Sequence, residues 1–134
     1  MYEINSRLIE IAKNLDLDLV FADINRSGFY FADEKVIFLS SKLLNQNSDF
    51  EISHELGHCI QKHEELAAFY NATNSSRRKL EREANKVAIQ ILLEIFMSDH
   101  DLDKEQLNAV KFMEYYQISS DLEDCVKESM LNYV

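Results

Sequence analysis

A chain of 134 residues with 46% hydrophobic content is long enough for one domain with its own core, and it needs no disulfide staples. Its formal charge of −10 repels a phosphate backbone, which argues against direct nucleic-acid binding. No apolar run reaches membrane-spanning length, Met1-Tyr2-Glu3-Ile4-Asn5 lacks the form of a signal peptide, and the 2 cysteines, Cys59 and Cys125, suit a reducing compartment, so no membrane association and a cytoplasmic location are expected.

Proline is absent and glycine is limited to Gly28 and Gly57, a composition that favours helices joined by short polar loops. Residues 2–14 carry Ile4, Leu8, Ile9, Ile11 and Ala12 among charged residues, the spacing of an amphipathic helix. Leu19-Val20-Phe21-Ala22 reads as a strand. Phe29-Tyr30-Phe31 and Val36-Ile37-Phe38-Leu39, separated by Asp33-Glu34-Lys35, read as a hairpin whose aromatics pack in the core. The expectation is a three-stranded sheet with largely antiparallel pairing.

Ser48-Asp49-Phe50-Glu51 has the form of a capping box, with Ser48 capping and Glu51 reaching back. The helix it starts contains His54-Glu55-Leu56-Gly57-His58, an H-E-x-x-H motif. At 100° per residue His58 lies about 40° around the axis from His54, with Glu55 near both. Ile52, Leu56, Cys59, Ile60 and His63 fall on another arc, toward the core. A glycine inside a helix costs about 1 kcal/mol against alanine; at Gly57 a close approach by a strand or a substrate backbone would account for it. Residues 64–76 read as a polar loop, and a long helix is predicted over 77–97. Its exposed start, Arg77-Arg78-Lys79, is a solvated cluster. Asp103-Lys104-Glu105-Gln106 and Ser120-Asp121-Leu122-Glu123 resemble capping boxes for helices near 104–115 and 121–132. The whole is an α+β fold, mainly helical, in one domain spanning 1–134. Residues 1–45 carry the first helix and sheet, 46–98 the motif helix and its partner, and 99–134 the C-terminal helices.

Two histidines one turn apart can grip one metal ion, and the glutamate between them can act on a water bound to it. A catalytic zinc site takes a third protein ligand. On the second long helix Ala84, Val87, Ala88, Ile91, Leu92 and Ile95 set an apolar face. Glu81 falls within about 40° of its centre and Glu83 about 120° away. A carboxylate on a buried face needs a partner, and metal is one. The ligand set is therefore His54, His58 and Glu81, with Glu83 as the fallback. Asn85, one turn beyond Glu81, is placed to accept the free ring N–H of a ligating histidine. His63 follows His58 at the wrong interval and points to the apolar arc. Cys59 reads as a small buried residue and His100 as part of an acidic connector.

At these residues the chain resembles the ImmA/IrrE-type zinc metallopeptidases. The resemblance rests on His54-Glu55-Leu56-Gly57-His58 and on Glu81-Arg82-Glu83-Ala84-Asn85-Lys86-Val87-Ala88 with Leu92-Leu93, and more loosely on the hairpin and on Tyr115-Tyr116-Gln117-Ile118-Ser119. It implies a zincin-like, thermolysin-like site with His54, His58 and Glu81 on Zn2+, other divalent ions being possible. The family often has Phe where this chain has Val87 and Met-Pro where it has Glu94-Ile95; neither change touches a ligand. Members are common on phages and integrative elements, where they act against a helix-turn-helix repressor. The resemblance thus implies a separate repressor as protein substrate, while the oligomeric state stays open. The expected activity is peptide-bond hydrolysis with Glu55 as general base, and Tyr30, Tyr70 and His63 are candidates for an additional oxyanion donor. The competing reading is a non-catalytic binding module that sequesters a transcriptional regulator. Glu55 beside both histidines favours the enzyme, because a structural metal needs no base.

Overall fold

The computed structural model describes residues 3–62 and 72–133. Helix α1 (Ser6–Asn14) begins where Asn5 accepts the Arg7 N–H at 2.9 Å, four residues later than the apolar spacing suggested, and it buries Leu8 and Ala12. Strands β1 (Asp18–Ala22), β2 (Gly28–Phe31) and β3 (Val36–Ser40) form one sheet in the order β1-β3-β2.

The β2–β3 hairpin is antiparallel as expected, but β1 pairs with β3 in parallel, so the sheet is mixed rather than largely antiparallel. Burial accounts for the order. β3 carries the fully buried Ile37 and Leu39, and the central position covers it on both sides. The tight turn after β2 makes β2 one neighbour and leaves the other side to β1. Register then places Leu19, Phe21, Gly28 and Tyr30 on the same face as Ile37 and Leu39, against the helices. The aromatics divide between the faces. Phe21 and Tyr30 pack on the core, whereas Phe29 stacks on Phe38 at 5.1 Å on the outer face, beside the exposed Phe31. Core packing was expected for all of them; the period of two forbids it.

A 3-10 turn (Ser41–Asn45) leads into α2 (Asp49–Ile60). Ser48 occupies the N-cap position but its side chain makes no capping bond, so the expected box with Glu51 does not form; Asn47 instead accepts the Asp49 N–H at 3.0 Å. Helix α3 (Asn74–Asp99) starts three residues before the expected position, because Thr73 accepts the Ser76 N–H at 2.9 Å and caps it. Its buried face is wider than the one read from spacing and includes Leu80, Ile89, Leu93 and Phe96. Gln106 Oε1 does accept the Asp103 N–H at 2.7 Å, but on a single 3-10 turn (Lys104–Gln106); Asn108 then caps the shorter helix α4 (Ala109–Tyr116). Ser119 caps a further 3-10 turn (Ser120–Leu122) that runs into α5 (Glu123–Leu131).

The core unites helices α1 to α5 and β3 through Leu8, Ile37, Leu39, Ile52, Leu56, Leu92, Phe112 and Val126. Helices α2 and α3 share the most extensive interface. Ile60, expected in the core, is 42% exposed at the end of α2. Neither glycine has a positive φ. Asp16, Lys35, Lys62, Asp101 and Gln117 instead supply the left-handed conformations at turns and helix ends. Among the described residues no helix is long and apolar enough to cross a membrane.

Candidate metal centre

The helical repeat of α2 sets His54 and His58 on adjacent turns, and α3 lies across them. The crossing is close because residue 57 has no side chain. A Cβ built on Gly57 would lie 2.6 Å from the Ala84 carbonyl oxygen and 3.1 Å from its Cα. The backbone that approaches Gly57 is therefore helix α3, not a strand or a substrate. Buried Ala84 keeps the other side of the contact small. Glu81 and Asn85, on either side of Ala84, are brought to the histidines by the same approach.

The result is a convergence of three donors. Glu81 Oε2 lies 2.8 Å from His54 Nε2, Glu81 Oε1 lies 3.2 Å from His58 Nε2, and the two Nε2 atoms are 3.2 Å apart. Ligands held tetrahedrally at about 2.0–2.1 Å from a zinc ion stand roughly 3.3 Å from one another. The donor set, two imidazoles and one carboxylate at nearly that mutual spacing, fits a divalent metal ion. Asn85 Oδ1 lies 2.7 Å from His54 Nδ1, where it can accept the ring proton and leave Nε2 as the lone-pair donor.

Electrostatics tie the same groups together. Burial alone would lower the pKa of the His54 imidazole, but the Glu81 hydrogen bond, the Glu55 and Glu81 charges and the Asn85 contact outweigh it and leave it raised. Burial likewise opposes charge on Glu81, yet the hydrogen bonds and charges of both histidines hold its carboxyl far below the usual range. Glu55 is 7% exposed, and burial pushes its carboxyl up against the lowering influence of His54 and His58. A carboxylate with a raised pKa is a stronger proton acceptor. Gly28 on β2 completes the surroundings, since a Cβ there would lie 3.5 Å from Glu55 Cγ.

The IrrE N-terminal-like domain family, Peptidase_M78, matches residues 12–124, a span that takes in the sheet, α2 and α3. The chain belongs to this family. Neither the curated proteins nor the solved structures contain a match. Membership supports a metallopeptidase-type function for the fold around His54, His58 and Glu81.

Of the other residues singled out from sequence, Glu83 does not join the converging donors found among the described residues. Cys59, expected to be buried, is only half-buried against the core at the end of α2. His100 caps α3, its Nδ1 2.9 Å from the Phe96 carbonyl oxygen, and takes no part in the centre. Tyr30 packs on the core beneath the sheet. His63 and Tyr70 lie outside the described residues. Sequence reasoning missed Ser27, Phe50 and Glu51, which line a cavity with His54, Glu55 and Asn85. The signal was present for Glu51: it precedes His54 by three residues and Glu55 by four, the spacing of one helix face. The capping-box reading assigned it elsewhere.

Proposed function

We propose that the protein is a zinc-dependent endopeptidase that hydrolyses a peptide bond in a protein substrate. The observation that carries this reading is the convergence of His54, His58 and Glu81 beside the buried carboxylate of Glu55. His54, His58 and Glu81 hold the ion. When bound, it supplies Lewis acidity, lowering the pKa of a water and polarising the scissile carbonyl. Asn85 fixes the His54 tautomer so that Nε2 presents its lone pair. The Glu55 carboxylate takes a proton from the attacking water and passes it to the leaving amine. Strand β2 is an edge of the sheet and packs on α2, so a substrate segment added along it would run past Glu55.

The substrate we infer is a separate helix-turn-helix repressor of a phage or mobile element, acted on in the bacterial cytoplasm. Two things support this: the family's sequence pattern, and the net charge of −10, which favours a basic partner segment. The test is to incubate the purified protein with such a repressor, with and without chelator, beside Glu55→Gln. Cleavage should be chelator-sensitive and should fall by about 10²–10⁴-fold in Glu55→Gln while metal content is retained. Tight binding of the repressor without cleavage, equal in Glu55→Gln, would sink the reading in favour of a binding module.

A further inference from the structure

Beside the metal centre is a cavity of about 210 Å³, lined by Ser27, Phe50, Glu51, His54, Glu55 and Asn85. His54, Glu55 and Asn85 already have roles in the centre. Glu51 has none. Its Oε2 is buried and has no hydrogen-bond partner among the described residues. It does not complete a capping box with Ser48. Nor does it orient His54, whose Nδ1 is occupied by Asn85. The nearby cation of Arg26 is engaged elsewhere: its Nε donates to the Gly28 carbonyl at 3.0 Å, its guanidinium lies 5.5 Å from the centre of the Phe29 ring, and it is not a wall of the cavity.

A buried carboxylate oxygen with no donor is costly, and a ligand that brings a donor removes that cost. We propose that Glu51 is the acidic wall of a substrate subsite that takes a basic side chain, arginine or lysine, next to the scissile bond. This assignment rests on the peptidase reading. The Phe50 ring offers an apolar surface for the methylene stem, and Ser27 a polar group at the wall. The head group of the basic side chain donates to Glu51 Oε2. An apolar residue in the same place leaves that oxygen buried and unpaired, so discrimination comes from the penalty on the wrong side chain as much as from attraction to the right one.

The test uses the zinc-loaded full chain and two short peptide hydroxamates that differ only in carrying arginine or its neutral isostere citrulline next to the metal-binding group. Isothermal titration calorimetry reads their affinities without requiring turnover. The arginine ligand should bind at least about tenfold more tightly than the citrulline ligand, the scale of one charge-assisted hydrogen bond. Glu51→Gln should abolish the difference, chiefly by weakening the arginine ligand. The two-ligand comparison stands in the unmutated protein even if Glu51→Gln fails to fold. Equal affinities overturn the Glu51 assignment and leave the metal site intact, as does an arginine preference that survives in a folded Glu51→Gln. If neither hydroxamate binds the zinc-loaded protein, the peptidase reading falls, and the subsite with it.

Discussion

The two ends of helix α3 carry histidine environments that contrast sharply. Near its start, His54 and His58 of α2 meet Glu81 with ring nitrogens 2.8 and 3.2 Å from the carboxylate oxygens. At its far end, His100 packs its ring against Phe96 and Tyr115, with centroids 4.3 and 5.1 Å away, and its Nδ1 turns to the Phe96 carbonyl. The residue type is the same; the neighbours differ. Aromatic faces and a helix-end carbonyl make a histidine a packing residue. A carboxylate and a second imidazole at donor spacing make it a candidate ligand. Charge along the chain does not separate the two, because acidic residues neighbour both in sequence: Glu55 beside His54, and Asp99 and Asp101 beside His100.

The largest test of this contrast is at Glu81. Glu81→Ala should weaken metal affinity by more than about 100-fold, beyond the loss expected from an outer partner, whereas Glu83→Ala should leave it unchanged; competition with a chromophoric chelator reads both. Should Glu83→Ala prove the damaging variant, the centre is built differently from the geometry described. Asn85→Ala removes the acceptor behind His54 and should cost about 10–100-fold in the same assay. Gly57→Ala probes the crossing itself. Overpacking against backbone costs about 1–3 kcal/mol, and the better helix former returns about 1, so urea unfolding should show a net loss of up to roughly 2 kcal/mol. A gain of about 1 kcal/mol, the helix preference with no overpacking cost, would mean that α3 does not sit on Gly57. The smallest effect belongs to the other end: His100→Ala should cost about 1 kcal/mol, the scale of an aromatic contact, with metal affinity unaltered. A loss of metal there would dissolve the distinction between the two ends.

The centre was legible in sequence because its chemistry is periodic. His54, Glu55 and His58 share one face of a helix, and Glu81 with Asn85 share one face of another, so angular position alone selected Glu81 over Glu83. Tertiary choices were not legible. Nothing local says that β1 joins β3 in parallel; that follows from which strand has the most to bury. Ser48, three positions before Glu51, predicts a capping role for that glutamate, yet Asn47 accepts the Asp49 N–H and Glu51 lines the cavity. Composition sends the hairpin aromatics to the core as a group, whereas alternation along the strand turns Phe29 and Phe31 outward. Helix ends were placed a few residues off wherever a different polar residue won the cap, as at Asn5 and Thr73.

The contact between Gly57 and Ala84 has a thermodynamic corollary. Two of the converging donors belong to α2 and the third to α3, so an ion held by all three joins parts of the chain on both sides of residues 63–71. Such a tie closes a loop that folding has already shortened, and most of the ordering entropy has been met by the helix crossing before the ion arrives. Binding and folding are then linked: whatever holds the ion also holds α3 on α2, and loosening the helices at Gly57 lowers the occupancy of a centre whose ligands are untouched.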